Sequence, residues 1–427
     1  MGLRQLAGRV ATRLTALLRL DVRFYGRSFT LMSFGHASAV LRGVATTFLM
    51  ARWLPRETLG EFRYILAVFG IAGIFSMTGL NASVIRGVAR GDIGVVRIAL
   101  KRIALVSPLG SVLLGLAALE RHLHGETTVA FGILIAAAAF PLYSLCGMYG
   151  PILTGKEHVR RLVQLAVVNN LLFAALFFAV ILNVRGLLAI TVAYFGFDIL
   201  IRGAYTLREL RRIPSDAPVG DHLRLGSHLS AINAFQTVAG QLDQILLQRF
   251  FGYGTLANYS VAMLIPEQIK DFVNGISGIV LRRFSRREET GAVVTATRRH
   301  FKTMFALSGV MVLVYAALAP FALPWLFPQY AAEILPSIVY ATGLVAMASI
   351  VGVNFFQAHD RLRDLWRFYV ANTALQIGTN LLLIPALGAW GAVLSKTITR
   401  VASIPLSYPR SVAPSVRSER TRTTHRL

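Results

Sequence analysis

Apolar runs of about 20 residues recur along the whole chain, parted by short polar breaks; as a helix, each is long enough to cross a bilayer core of ~30 Å. Twelve are read from the sequence, roughly at 29–51, 62–84, 103–119, 128–153, 162–183, 186–206, 226–249, 256–281, 303–326, 333–357, 367–385 and 388–409. The pattern predicts an all-α, polytopic membrane protein. Between the sixth and seventh runs, the stretch from Arg208 to Leu225 carries Pro214, Ser215, Asp216, Ala217 and Pro218. Such turn-formers mark a linker between two halves. An internal repeat agrees with that division. At a shift of 197, Arg52, Thr58, Leu59, Phe62, Arg86 and Arg90 fall on Arg249, Thr255, Leu256, Tyr259, Arg283 and Arg287. At a shift of 203, Leu162, Val167 and Asn169 fall on Leu365, Val370 and Asn372. The expected units are a basic N-terminal segment (1–28), an N-lobe of six spans (29–207), a cytoplasmic linker (208–225), a C-lobe of six spans (226–409) and a disordered tail (410–427). With six spans in each half, both halves enter the membrane in the same sense, and transporter sites lie at the interface of such repeats.

Polar residues inside the runs are the informative exceptions. The eighth run carries Glu267, Lys270 and Asp271 far from either end. An ionisable residue at the centre of a span costs roughly 2.5–3.5 kcal/mol on insertion scales, so it faces a bundle interior or a watery cavity. Glu267 and Lys270 are i,i+3, and Lys270 and Asn274 are i,i+4, so they share a helix face and partly satisfy one another. The preceding run places Asn233, Gln236, Gly240 and Asp243 at helical spacing, and Phe251-Gly252-Tyr253-Gly254 breaks the two. By the repeat, Glu267 and Lys270 stand where the first half has Gly70 and Gly73. Arg42 lies well inside the first run; a long side chain there can snorkel to the interface, but a cation lining a cavity is the preferred reading. Asp198 and Arg202 in the sixth run are i,i+4 and are read as a structural ion pair. Lys396 and Arg400 in the twelfth have the same spacing; Lys396 sits in the middle third, and Arg400 lies close enough to the cytoplasm to snorkel. His36 reads as a packing residue, and spans three and four, without internal charge, as scaffold.

Charge changes the picture in one respect. Of 427 residues 55% are hydrophobic and 44 are Lys or Arg, for a net charge of +24, which by itself resembles a nucleic-acid binder. The positions exclude that. Outer segments hold only Arg52, Arg56, Arg63, Arg121, Arg185 and Arg249, and Arg42, Arg202, Lys270, Lys396 and Arg400 lie within spans; the remaining basic residues fall on one side. This is the positive-inside asymmetry, and it puts both termini in the cytoplasm. The basic side also suits anionic lipid headgroups. The first 27 residues set Leu3, Leu6, Val10, Leu14 and Leu17 against Arg4, Arg9, Arg13 and Arg19. They read either as an amphipathic helix on the cytoplasmic surface or as a simple positive-inside tag. Cys146 is the single cysteine, so no intrachain disulfide is expected.

No phosphate-binding loop, zinc-type His/Cys spacing or nucleophile elbow is present, and neither a metal nor a cofactor is expected. The loops are short, which disfavours a membrane enzyme of glycan assembly needing an extramembrane platform. Transport is the stronger inference, and the protein is expected not to be an enzyme.

Several stretches resemble a known group. Leu59-Gly60-Glu61-Phe62, with Gly79-Leu80 and Arg86, is similar to the first-repeat pattern of bacterial polysaccharide flippases. Asp243 to Leu247 with Gly252, then Leu256-Ala257-Asn258-Tyr259-Ser260-Val261-Ala262, resembles their mid-chain motif. Phe327-Pro328-Gln329-Tyr330 and Pro385-Ala386-Leu387-Gly388-Ala389-Trp390-Gly391-Ala392 resemble later hallmarks. The family is the Wzx-type branch of the multidrug/oligosaccharidyl-lipid/polysaccharide exporter superfamily. The resemblance implies two six-helix lobes in a V, alternating access, and a lipid-linked oligosaccharide on undecaprenyl diphosphate moved to the outer leaflet of the bacterial inner membrane. It implies a cavity between spans one, two, seven and eight, which takes in Arg42, Asp243 and Lys270. Expected partners are the lipid-linked glycan, membrane lipids and the polysaccharide polymerase machinery, with no nucleic acid. Arg42, Lys270 and Lys396 are the expected substrate-binding residues, since a diphosphate enters a low-dielectric cavity only if paired. Asp243, Glu267 and Asp271 are the expected ion-coupling residues, the alternative being that the acids merely neutralise Lys270. The same-class alternative is a multidrug antiporter of the related branch, disfavoured because a cationic lumen repels cationic drugs.

Overall fold

The computed structural model describes residues 22–214, 223–284, 291–358 and 361–412. Most of the N-terminal segment, the centre of the linker, the middle of the basic loop after span eight and the end of the tail therefore lie outside the described residues. Within them the chain is helical, without a strand. Span one is α1 (Val22–Trp53). Span two is α2 (Arg56–Ala72), a 3-10 turn (Gly73–Ser76) and α3 (Leu80–Ala89). Span three is α4 (Val95–Leu123), and span four is α5 (Thr127–Cys146) continued by α6 (Tyr149–Gly155). Spans five and six are α7 (Val159–Asn183) and α8 (Leu187–Leu210). Spans seven and eight form α9 (Leu223–Phe284), two helices meeting at Gly252. Span nine is α10 (Gly291–Leu326). Span ten is segmented into a 3-10 turn (Pro328–Glu333), α11 (Ile334–Thr342), a second 3-10 stretch (Gly343–Ala348) and α12 (Ser349–Ala358). Spans eleven and twelve are α13 (Leu362–Leu387) and α14 (Ala389–Val412).

Each of the twelve apolar runs thus has its helix, and the protein is a multi-pass membrane protein of two six-helix lobes. Boundaries shift by several residues. The second span begins six residues earlier than the apolar run, so Arg63, at the edge of that run, lies about two turns inside the helix. Helix also continues into the first residues of the expected tail, to Val412. Gly252 has φ 79°, a left-handed conformation that glycine adopts without steric cost; this lets two long helices join with almost no loop.

One apolar core runs through both lobes, from Leu49, Phe62 and Ile65 to Leu256, Tyr259 and Tyr340. Toward the expected cytoplasmic ends it gives way to two separate clusters. One, in the N-lobe, gathers Leu80, Val84, Val95, Ile103 and Ile152; the other, in the C-lobe, gathers Phe301, Val351, Phe355 and Leu365. The lobes are welded at one end and cored independently at the other. The seam is close where glycines allow it. A Cβ on Gly60 would strike the carbonyl oxygen of Tyr253, and one on Gly70 would lie 2.9 Å from the Gln241 amide. Removing the side chain lets helix backbones approach in this way.

Candidate functional site

Among the described residues, eight helical segments are long and apolar enough to cross a membrane on composition alone. The spans missing from that set are one, seven, eight and twelve. These four carry Arg42, Asp243, Glu267 with Lys270, and Lys396 with Arg400. Their loss of hydropathy is the polar chemistry itself, and the structure gathers that chemistry into one cluster per lobe.

In the N-lobe, Asp198 on α8 is the hub. Arg42 from α1 donates to its Oδ1 at 2.9 Å, and Arg202, one turn along α8, donates to its Oδ2 at 2.8 Å. The carboxylate is 2% exposed, against 18% and 25% for the two arginines. Arg42 also lies over the Phe173 ring, 3.6 Å from its centroid, and Arg202 over Tyr143 at 5.1 Å. Arg42 therefore does not snorkel; it points into the lobe. Arg63, assigned by sequence to an outer loop, instead lies within the helical bundle and donates to the Thr47 hydroxyl at 2.6 Å. The cluster keeps more cations than acids.

The C-lobe cluster is built on four spans. Asp243 on α9, 1% exposed, accepts from the Tyr259 hydroxyl at 2.5 Å and lies 3.5 Å from the Lys396 ammonium. Lys396 also donates to the Gly240 carbonyl at 3.1 Å. Glu267 accepts from Lys270, from Arg400 and from the Tyr340 hydroxyl. Arg400, like Arg42, does not snorkel: its guanidinium lies over Tyr340, 4.7 Å from the ring centroid. Asp271 is 3.8 Å from Lys270 and 61% exposed, so it stands apart from the buried pairs. Three acids meet three cations, and this cluster balances.

The structure thus joins the substrate-binding and ion-coupling candidates into shared ion pairs. Lys270 meets Glu267 and Asp271, Lys396 meets Asp243, and Arg42 sits in the other lobe with Asp198. Asp198 and Arg202 pair as the i,i+4 spacing indicated, and Arg42 joins them. Tyr259, Tyr340 and Arg63 were missed: a tyrosine in an apolar run carries no charge signal, and Arg63 sat at the edge of its run. The repeat itself held a further clue. At a shift of 198, Asp198 and Arg202 fall on Lys396 and Arg400. The bridge between spans one and six of the N-lobe, Arg42 to Asp198, recurs between spans seven and twelve of the C-lobe as Asp243 to Lys396, with its charges exchanged.

The family model described as polysaccharide biosynthesis protein matches residues 26–281, more than half of the chain. The chain belongs to this family. A search of the curated proteins gave no match. Among solved structures, the chain is similar to an inward-facing multidrug resistance MATE family transporter of the MOP superfamily (14% identity, 87% of this chain and 93% of that one, TM-score 0.68). It is also similar to the lipid II flippase MurJ in an inward closed conformation (13%, 88% and 86%, 0.62). A third is a MOP superfamily transporter from Pyrococcus furiosus, described as having a binding pocket of reverse polarity (14%, 92% and 96%, 0.56). At these identities the likeness shows a common fold: this member of the polysaccharide biosynthesis family has the fold of MOP superfamily transporters.

Proposed function

We propose that the protein flips an undecaprenyl-diphosphate-linked oligosaccharide from the inner to the outer leaflet of the bacterial inner membrane, by alternating access, for surface polysaccharide assembly. Both termini are cytoplasmic in this reading. The observation that carries it is the pair of charged clusters inside an otherwise apolar bundle, with surplus cation in the N-lobe and balance in the C-lobe. A diphosphate brings at least two negative charges and needs donors already placed inside the bundle. Arg42 and Arg202 share a single carboxylate, so either has capacity for an incoming phosphate oxygen without stranding Asp198. Lys270 and Lys396 are the C-lobe groups that would exchange their acids for the anion or for the acidic sugars. Asp243, Glu267 and Asp271 would take up the coupling ion as those partners leave. Membership in the polysaccharide biosynthesis family and the flippase-type fold support the cargo class, and surplus cation argues against a cationic drug.

A strain lacking the protein should accumulate the lipid-linked glycan in the inner leaflet. The wild-type chain should restore export, whereas Arg42→Ala and Lys270→Ala, at normal membrane levels, should not. Full export by both variants overturns the assignment.

A further inference from the structure

We infer that Arg63 and Thr47 form a second anion-binding station in the N-lobe, to the outer side of Arg42 and Asp198, which receives the cargo's phosphate on its outward passage. The assignment rests on the cargo being a diphosphate-linked lipid, and it adds a residue to the path that such a lipid takes.

Three observations carry it. First, two helices take the polar chemistry outward by a similar step. In the proposed orientation α1 runs from the inner to the outer side, and Thr47 lies five residues beyond Arg42, about 7.5 Å of rise. α8 runs the other way, and Tyr194 stands one turn outward of Asp198. Tyr194 lies among Arg42, Asp198, Arg202 and Arg63. Its ring packs edge-on against Phe173, the ring beneath Arg42, with centroids 5.4 Å apart. On its other side it meets Phe62, the neighbour of Arg63 in sequence, at 5.3 Å. Second, the charge of Arg63 is met only by a neutral group. Its guanidinium donates to the Thr47 hydroxyl at 2.6 Å, and its Nε is buried without an acceptor. Among the described residues it has no carboxylate partner, whereas Arg42 has Asp198. α2, α8 and the outer half of α1 are described throughout, and the acid nearest in sequence, Glu61, has Glu57 and Glu126 as its electrostatic neighbours. A cation so placed within a span is costly until an anion joins it, and Arg63 is half-buried rather than sealed. Third, the fold does not require a cation there. At the repeat's shift of 197, Arg63 falls on Ser260, which is 1% exposed. The C-lobe fills the corresponding place with a small neutral side chain, so packing does not account for the arginine.

Flipping of a fluorescent undecaprenyl-diphosphate-linked sugar in vesicles holding the full chain tests this, with Tm measured on the same preparations. Arg63→Gln should slow the initial rate roughly 10- to 100-fold, the usual worth of a hydrogen bond to a charged group. Arg63→Lys should recover part of that loss. The Tm of Arg63→Gln should not fall, since the substitution removes a lone charge and strands no other. Arg185→Gln, which removes an exposed outer cation, should flip at the wild-type rate. Wild-type flipping by Arg63→Gln overturns the station. So does a lowered Tm with no recovery in the lysine variant, which would mark a packing role. Equal slowing by Arg185→Gln overturns it too, as a general effect of outer charge. Arg42→Gln in the same assay keeps the two claims apart. Normal flipping there contradicts the diphosphate's place at Arg42 and removes the station's premise; slow flipping there beside normal flipping by Arg63→Gln overturns the station alone.

Discussion

Glu267 and Asp271 are one turn apart on the same helix, and by sequence they bracket Lys270 as equals. In the structure they differ. Glu267 accepts from Lys270, Arg400 and Tyr340 and so ties span eight to spans ten and twelve, while Asp271 is 61% exposed. Breaking a buried pair by removing one partner costs about 3–5 kcal/mol because a buried charge is left uncompensated. Glu267→Gln, which strands Lys270 and Arg400 together, should approach the lower end of that range and cut the Tm of the purified protein by several degrees. Asp271→Asn should leave it nearly unchanged, and thermal unfolding of the two variants side by side checks the contrast. The presence of charge in the eighth span was legible in the sequence; the division of labour was not. Helical spacing reports which residues share a face, but the partners that separate these acids come from residues 340 and 400, far along the chain. Arg42 was legible as an internal cation for the same reason, and its tie to Asp198 across 156 positions was not.

Spans one and seven, and spans six and twelve, match in polarity because the repeat pairs them, whereas span eight adds its charges where its counterpart, span two, has Gly70 and Gly73. The twelve elements themselves were readable, since long apolar runs leave helix as the structure that satisfies its own backbone in lipid. Their breaks were less readable. Span two kinks through Gly73–Ser76, and span ten is cut into four pieces, because such interruptions depend on neighbours that accept the freed backbone groups. Contact between elements turns on single glycines. Gly60→Ala would push a methyl into the Tyr253 carbonyl, whereas Gly73 has open space around its Cβ position. Overpacking of this kind costs typically about 1–3 kcal/mol. Gly60→Ala should therefore lower thermal stability and export, with Gly73→Ala as the tolerated control, measured by Tm and by glycan display on cells.

On the scale of the whole molecule, the lobes are joined by a continuous core and by a polar clasp near the expected outer surface. Arg56 of α2 donates to the Gln329 carbonyl, Tyr253 donates to Glu126, and Arg249 lies 3.7 Å from Glu120. The opposite ends have separate cores. Alternating access on this frame requires the clasp to open while each lobe keeps its own cluster, and the charge-exchanged bridges let each lobe hold its polar interior without the other. The account then rests on whether the N-lobe cations carry the diphosphate. Arg42→Gln isolates that question, because Arg202 still neutralises Asp198 and no buried charge is orphaned. The measurement is the initial rate at which reconstituted vesicles flip a fluorescent undecaprenyl-diphosphate-linked sugar, with the protein confirmed folded by its unchanged Tm. Hydrogen bonds to charged groups contribute about 1.5–3 kcal/mol, so the account predicts a rate roughly 10- to 100-fold below wild type. A variant that flips the diphosphate-linked lipid at the wild-type rate would contradict it.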